Sequence, residues 1–347
     1  VILRTRTAAA VLAVVAATAT ALVVSGCATG STASASGGGT TVKFALDWTP
    51  NTNHTGLYVA EEKGWFKDAG INLDILPYSS SSTDTLINAG SAQFGISFES
   101  QALSSSAAGT KNVSVMSVLQ HDPTAIGVLK SNTSITSVKD LDGKTYGEAG
   151  PTDVFESMVK DAIKEDGGTG DFTTVNLGTS AYNALYKGKV DFTGAFKTWE
   201  GIQGKLAGTP MKYFDLSDYG LPDDYGVIIE GNASWMQKNP TLAKKFVRVL
   251  QRGYTYAADH PRAAANILIK ENPGTFTNKK LVYESQAMIS ADYLKDANGI
   301  VGAQTDKMWQ DYADYYVKHG LLANASGKTV TTPVDASKLF TNKYIKQ

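Results

Sequence analysis

Cysteine is nearly absent: the chain holds one, Cys27, in 347 residues. A single thiol excludes an internal disulfide framework and a cysteine-built zinc or iron–sulfur site. Histidine is scarce as well. The four, at 54, 121, 260 and 319, show no metal-ligand spacing. There is no G-x-x-x-x-G-K-[ST] phosphate loop and no G-x-S-x-G elbow, so nucleotide hydrolysis and serine-hydrolase chemistry have no anchor. Charge is balanced, 32 Lys+Arg against 33 Asp+Glu, with no basic cluster, which leaves no electrostatic footprint for nucleic acid.

What is present begins with an export pattern. Arg4 and Arg6 precede the apolar run AAAVLAVVAATATALVV, and VVSGC ends on small residues before Cys27. Residues 1–26 therefore read as a signal peptide. The apolar run is near the roughly 20 residues of a membrane span, so an uncleaved anchor is the alternative. Residues 27–41, CATGSTASASGGGTT, carry no charge and no large apolar group and read as a flexible tether. The remaining chain, about 305 residues, exceeds the size at which one core stays efficient, and two lobes are expected.

Short apolar runs alternate with helix-like runs over most of that length. TVKFAL, INLDILPY, AQFGIS, VSVMSVL and AIGVLK read as strands; TGLYVAEEKGWFKDAG, TDTLINAG and ESQALSSSAAG read as helices. The alternation continues to YGVIIEG, after which the texture turns helical, with Leu242, Phe246, Val249, Leu250 and Gly253 on one face of a long helix. Trp309, Tyr312, Tyr315 and Tyr316 recur at helical spacing and are expected mostly in the core or on a lobe surface. The pattern implies an α/β fold of two lobes, each a mixed, mainly parallel sheet flanked by helices. The expected boundaries are 42–130 plus 228–347 for the first lobe and 131–227 for the second. Ligands in such folds settle at the carboxyl ends of strands.

The stretches EEKGWFKDAGINLDI, LINAGSAQFGIS and SITSVKDLDGKTYG resemble the periplasmic-type (type II) substrate-binding proteins of bacterial ABC importers. Within that class LDWTPNTNHTGLYVAEEKGWF, QHDPTAIGVL and TWEGIQ resemble the thiamine-pyrimidine-precursor binding (NMT1/THI5-like) group, related to fungal pyrimidine synthases. Over roughly residues 42–320 the resemblance implies a solute receptor with no cofactor and no catalysis. Its implied partners are an aminopyrimidine-like ligand and an ABC permease in the membrane, and a monomer is expected. VVSGC resembles a lipobox, which implies a lipid on Cys27 and a place on the extracytoplasmic face of the cell membrane. On the same scaffold other relatives take riboflavin, nitrate, sulfonate or taurine.

The expected ligand contacts are Trp48, Asn53, His54, Glu99, Glu148, Trp199, Glu200 and Tyr225. Trp48 follows the first strand and offers a flat face for stacking, or else plugs the core. Asn53 and His54 lie at a helix start, where donors converge; a turn former and a surface residue are their alternative roles. Trp199 and Glu200 follow the strand VDFTGAF and would oppose Trp48 from the other lobe. The resemblance places the family's acidic pyrimidine-binding residue at Glu200, where a carboxyl matches a ring nitrogen beside an amine; a helix-first-turn acid is the alternative. Glu99 and Glu148 fall just after strands, either at the cleft or only starting helices. Three carboxyl groups at one cleft would repel an oxyanion. Tyr225 marks the return between lobes, and Tyr58 is expected in the core. A synthase of the fungal type would need a Lys and a His where Ser97 and Gln101 stand, and a Cys-rich run that the chain lacks.

Overall fold

The computed structural model describes residues 39–79, 81–150 and 153–346. Cys27, the signal and most of the tether lie outside them. The described residues open with β1 (Thr40–Ala45), α1 (Thr55–Glu62), α2 (Trp65–Asp68), β2 (Ile71–Leu76), α3 (Thr83–Asn88), β3 (Phe94–Ser97), α4 (Glu99–Ala107) and β4 (Asn112–Ser117). A first crossing leads to β5 (Thr124–Leu129), β6 (Thr145–Glu148), α5 (Asp153–Glu165), β7 (Thr173–Asn176), α6 (Ala181–Tyr186), β8 (Phe192–Phe196), α7 (Glu200–Leu206) and β9 (Met211–Phe214). A second crossing returns through β10 (Ile228–Asn232) to α8 (Ala233–Lys238), α9 (Pro240–Asp259), α10 (Pro261–Glu271), α11 (Lys279–Asp292) and α12 (Asp306–Lys318).

Two five-stranded sheets share one plan. Their orders are β2-β1-β3-β10-β4 and β7-β6-β8-β5-β9. In each, the first three strands run parallel, and the strand that arrives from the other lobe, β10 or β5, is antiparallel to its neighbours. All four residues of β3 are buried, as befits a strand covered on both faces. This is the two-lobed mixed α/β fold that the alternation of strands and helices implies.

The expected boundaries need three corrections. Thr40 and Thr41, expected in the tether, open β1 and pair with Ile71 and Asn72 of β2. The strand 124–129 was expected in the first lobe, but Ile126 and Val128, fully buried, sit in a second-lobe strand paired with β8 and β9. The first crossing therefore falls at residues 118–123 rather than near 130. The stretch 228–347 is not all first lobe either. Trp309, Tyr312 and Tyr316 of α12 share a core with Ile126, Val128, Val138 and Phe192 of the second lobe as well as with Leu103 and Ile228 of the first. The tail then returns: Ser114 of β4 accepts from the Thr341 N–H and donates to the Leu339 carbonyl, both at 2.8 Å.

The first-lobe core centres on Phe246 of α9, stacked on Phe94 at 4.4 Å and packed on Phe66 at 5.2 Å. Helices α1 and α9 approach closely enough that a Cβ on Gly253 would collide with the Gly56 carbonyl oxygen. That contact needs glycine for its missing side chain, not for its backbone freedom. Tyr58 is buried, as expected, beside Leu268 and Val282.

Candidate ligand-binding cleft

The segments that leave the carboxyl ends of β1, β7 and β8 meet between the lobes. They enclose a cavity of about 240 Å³. The first lobe contributes Trp48 and Thr49. The second contributes Thr179, Tyr182, Asn183, Trp199, Glu200 and Gln203. No Lys or Arg is among these lining residues.

Trp48 is half-buried, its ring centroid 5.1 Å from that of Tyr78 at 51°. The loop beneath it is held by buried polar contacts. The His54 Nδ1 accepts from the Asn51 N–H at 3.2 Å, and Nε2 donates to Asp47 Oδ1 at 2.8 Å. Asn51 caps the following turn by accepting the Asn53 N–H at 2.8 Å. Tyr254 donates its hydroxyl to the Asn53 carbonyl at 2.7 Å.

From the opposite lobe, Trp199 is also half-buried and meets Phe276, in the loop before α11, edge to face at 6.2 Å. Lys205 of α7 and Glu284 of α11 extend this contact with an ion pair at 3.6 Å. Next to Trp199, Glu200 is buried; its Oε2 accepts the Phe196 N–H at 3.2 Å. Tyr186 donates to the Glu200 carbonyl at 2.8 Å. Burial pushes the Glu200 carboxyl up to about 7, against the pull of backbone N–H donors. The carboxyl is therefore poised to hold or release a proton at neutral pH. The carboxamides of Asn183 and Gln203 make no side-chain hydrogen bond among the described residues, so they face the cavity with donors and acceptors free.

Of the expected contacts, Trp48, Trp199 and Glu200 line this one cavity. His54 is corrected to a structural residue: it is fully buried, and both ring nitrogens are engaged within its own loop. Asn53 is buried beside it and does not line the cavity. Tyr225 is corrected too. Its ring packs on Trp309, and its hydroxyl accepts from the Thr305 N–H at 2.8 Å, away from the cleft. Glu99 turns to the Tyr225 N–H at 2.7 Å rather than to the cavity. Glu148 ends β6, its Oε2 accepting from Asn176 at 3.3 Å, and is also outside the lining. A cleft with three inward carboxyl groups is thus replaced by one with Glu200 alone. Thr49, Thr179, Tyr182, Asn183 and Gln203 were not singled out from sequence. Gln203 was within reach, because three residues after Glu200 on a helix is the same face.

Residues 51–264 match the model of the NMT1/THI5-like family. The chain belongs to that family. Two similar proteins are the formylaminopyrimidine-binding protein of Halalkalibacterium halodurans and a 4-amino-5-hydroxymethyl-2-methylpyrimidine phosphate synthase of Aspergillus parasiticus. The first is 27% identical over 288 residues, covering 81% of this chain and 86% of that protein. The second is 23% identical over 318 residues, covering 88% and 87%. Among solved structures, the ligand-binding component of an ABC-type import system from Staphylococcus aureus superposes with a TM-score of 0.65 at 13% identity, over 88% of this chain and 97% of that one. That likeness concerns the fold. By name, one of these two relatives is a binding protein and the other a synthase.

Proposed function

We propose that this protein is the solute-binding component of an ABC importer, tethered outside the cytoplasmic membrane through a lipid on Cys27, and that it captures an aminopyrimidine precursor of thiamine. The observation that carries the reading is the pairing of Trp48 from one lobe with Trp199 and Glu200 from the other in a single cation-free cavity. A flat heteroaromatic ring stacked on an indole gains about 0.5–1.5 kcal/mol beyond its buried area. The Glu200 carboxyl meets a ring nitrogen and its neighbouring amine with two hydrogen bonds. Free carboxamides at Asn183 and Gln203 suit a polar substituent such as the formylamino group. With Glu200 present and no Lys or Arg among the lining residues, nitrate, sulfonates and phosphate esters find no counter-charge.

Capture without chemistry is the reading for the site. Ser97 and Gln101 stand where the resemblance would put a synthase's Lys and His, and the Ser97 hydroxyl is sealed in the first lobe, donating to Asp84 at 2.7 Å. Among the described residues no helix is long and apolar enough to cross a membrane; attachment through a lipid rests on the sequence VVSGC around Cys27. Calorimetry with 4-amino-5-hydroxymethyl-2-methylpyrimidine, its formylamino analogue, its phosphate ester, taurine and nitrate tests the proposal. The first two should bind and the anions should not; preference for any anion over the pyrimidines would overturn it.

A further inference from the structure

The two crossings between lobes run side by side, and a group of carboxyls gathers on them. Val118 and Leu119 of the outgoing crossing donate to the Val227 carbonyl of the return, at 2.7 and 3.1 Å. Gly226 lies so close to Asp122 that a Cβ there would sit 2.6 Å from its Oδ1 and 2.8 Å from its Cα. Asp122 in turn accepts from the Thr124 N–H at 2.9 Å and the Thr124 hydroxyl at 2.6 Å. Asp223 and Asp224 sit on the return crossing, with Asp223 paired to His121 at the exposed rim.

Glu99, at the start of α4, clamps this arrangement. Its Oε2 takes the Tyr225 N–H, and its own N–H reaches the Tyr225 carbonyl at 3.4 Å. Glu99 is fully buried, yet its Oε1 has no hydrogen-bond partner. An ionised carboxylate with one oxygen sealed and unpaired is costly in such a place, and a protonated one is far less so. The groups facing it are Asp122 and Asp223 on the crossings, Asp224 beside them, and the hydroxyls of Tyr225 and, on α12, Tyr316. Among the described residues, the basic side chains recorded against this group are His121, paired with Asp223, and Lys197, whose charge acts on Asp122 while its amine pairs with Asp215 at 2.7 Å.

We infer that Glu99 is a proton-held clamp on the interlobe hinge: the packed hinge carries the Glu99 proton, and opening the hinge releases it. Burial, with the charges of Asp223 and Asp122, holds this carboxyl at about 8 against an ordinary value of 4.5. Opening lets water reach it and returns it towards that ordinary value. The packed hinge is then favoured fully below about 4.5, loses ground as pH rises to about 8, and changes no further above that. The packed-to-open ratio falls by up to about tenfold per pH unit within the window.

The test uses the ligand-free full chain in a Cys27→Ser, Glu200→Gln background, which frees the labels from the native thiol and removes the cleft carboxyl. Fluorophores on Lys187→Cys and Lys244→Cys, both exposed and on different lobes, report the interlobe distance. The packed fraction should fall between pH 5 and 8 and then level off, and Glu99→Gln should flatten the slope. A parent with no change across that range, or a Glu99→Gln chain that tracks its parent, overturns the clamp. Should Glu99→Gln fail to fold, Asp223→Asn at the exposed rim removes one repelling charge and should shift the upper end of the slope to lower pH. An unmoved end point overturns the clamp equally.

Discussion

Glu200 sits where two demands on a carboxyl group conflict. Burial favours the neutral acid, while the Phe196 N–H favours the anion, and the balance lands near physiological pH. A ligand bearing one basic ring nitrogen makes use of this, because the complex needs a single proton shared between ring and carboxyl, whichever holds it. Affinity for the pyrimidine should therefore fall as pH rises through about 7, approaching tenfold per unit. Glu200→Gln should weaken binding at neutral pH at least tenfold, about 1.4 kcal/mol, and flatten the pH slope by one proton; calorimetry at pH 6, 7 and 8 reads both. His54 makes the opposite prediction. His54→Ala strips partners from Asp47 and the Asn51 N–H, so it should lower stability by about 1–3 kcal/mol, seen as a drop in melting temperature. At this scale the sequence was half legible. Trp48, Trp199 and Glu200 could be placed because each follows a strand end directly. His54 could not, because the partners that use up its nitrogens are set by how its loop folds back on Asp47.

Among the elements, α7 and α11 form the seam that matters. Trp199 presents one side to the cavity and leans on Phe276 from the other lobe, so the wall of the site is also a point of lobe contact. Phe276→Ala should cost roughly 1 kcal/mol of ligand affinity, although Phe276 is not a lining residue. Equal calorimetric affinity for the variant and its parent would separate lobe contact from binding. Strand and helix order was readable along most of the chain, since periods of two and of about 3.6 differ plainly. What periodicity could not say is which sheet a strand joins. AIGVLK is apolar on both faces in either lobe, and only its antiparallel pairing with β8 and β9 puts it in the second. The stripe on α12, expected in the core or on a lobe surface, is buried at Trp309, Tyr312 and Tyr316 and partly buried at Tyr315. Nothing in its spacing tells whose core it fills.

For the molecule as a whole, two sheets of identical plan joined by a paired crossing make a hinge with a binding surface on each side. Cys27→Ser should move the protein from the membrane to the soluble fraction; retention in membranes would favour an uncleaved span. The C-terminal segment gives the design a further property. α12 fills a core that draws on both lobes, and residues 339–341 then stitch onto β4. Both lobes thus wait for residues beyond 300 before their interiors are filled. A chain cut short before residue 300 would therefore lack packing in both lobes at once, so loss of this one segment would disable the two jaws together.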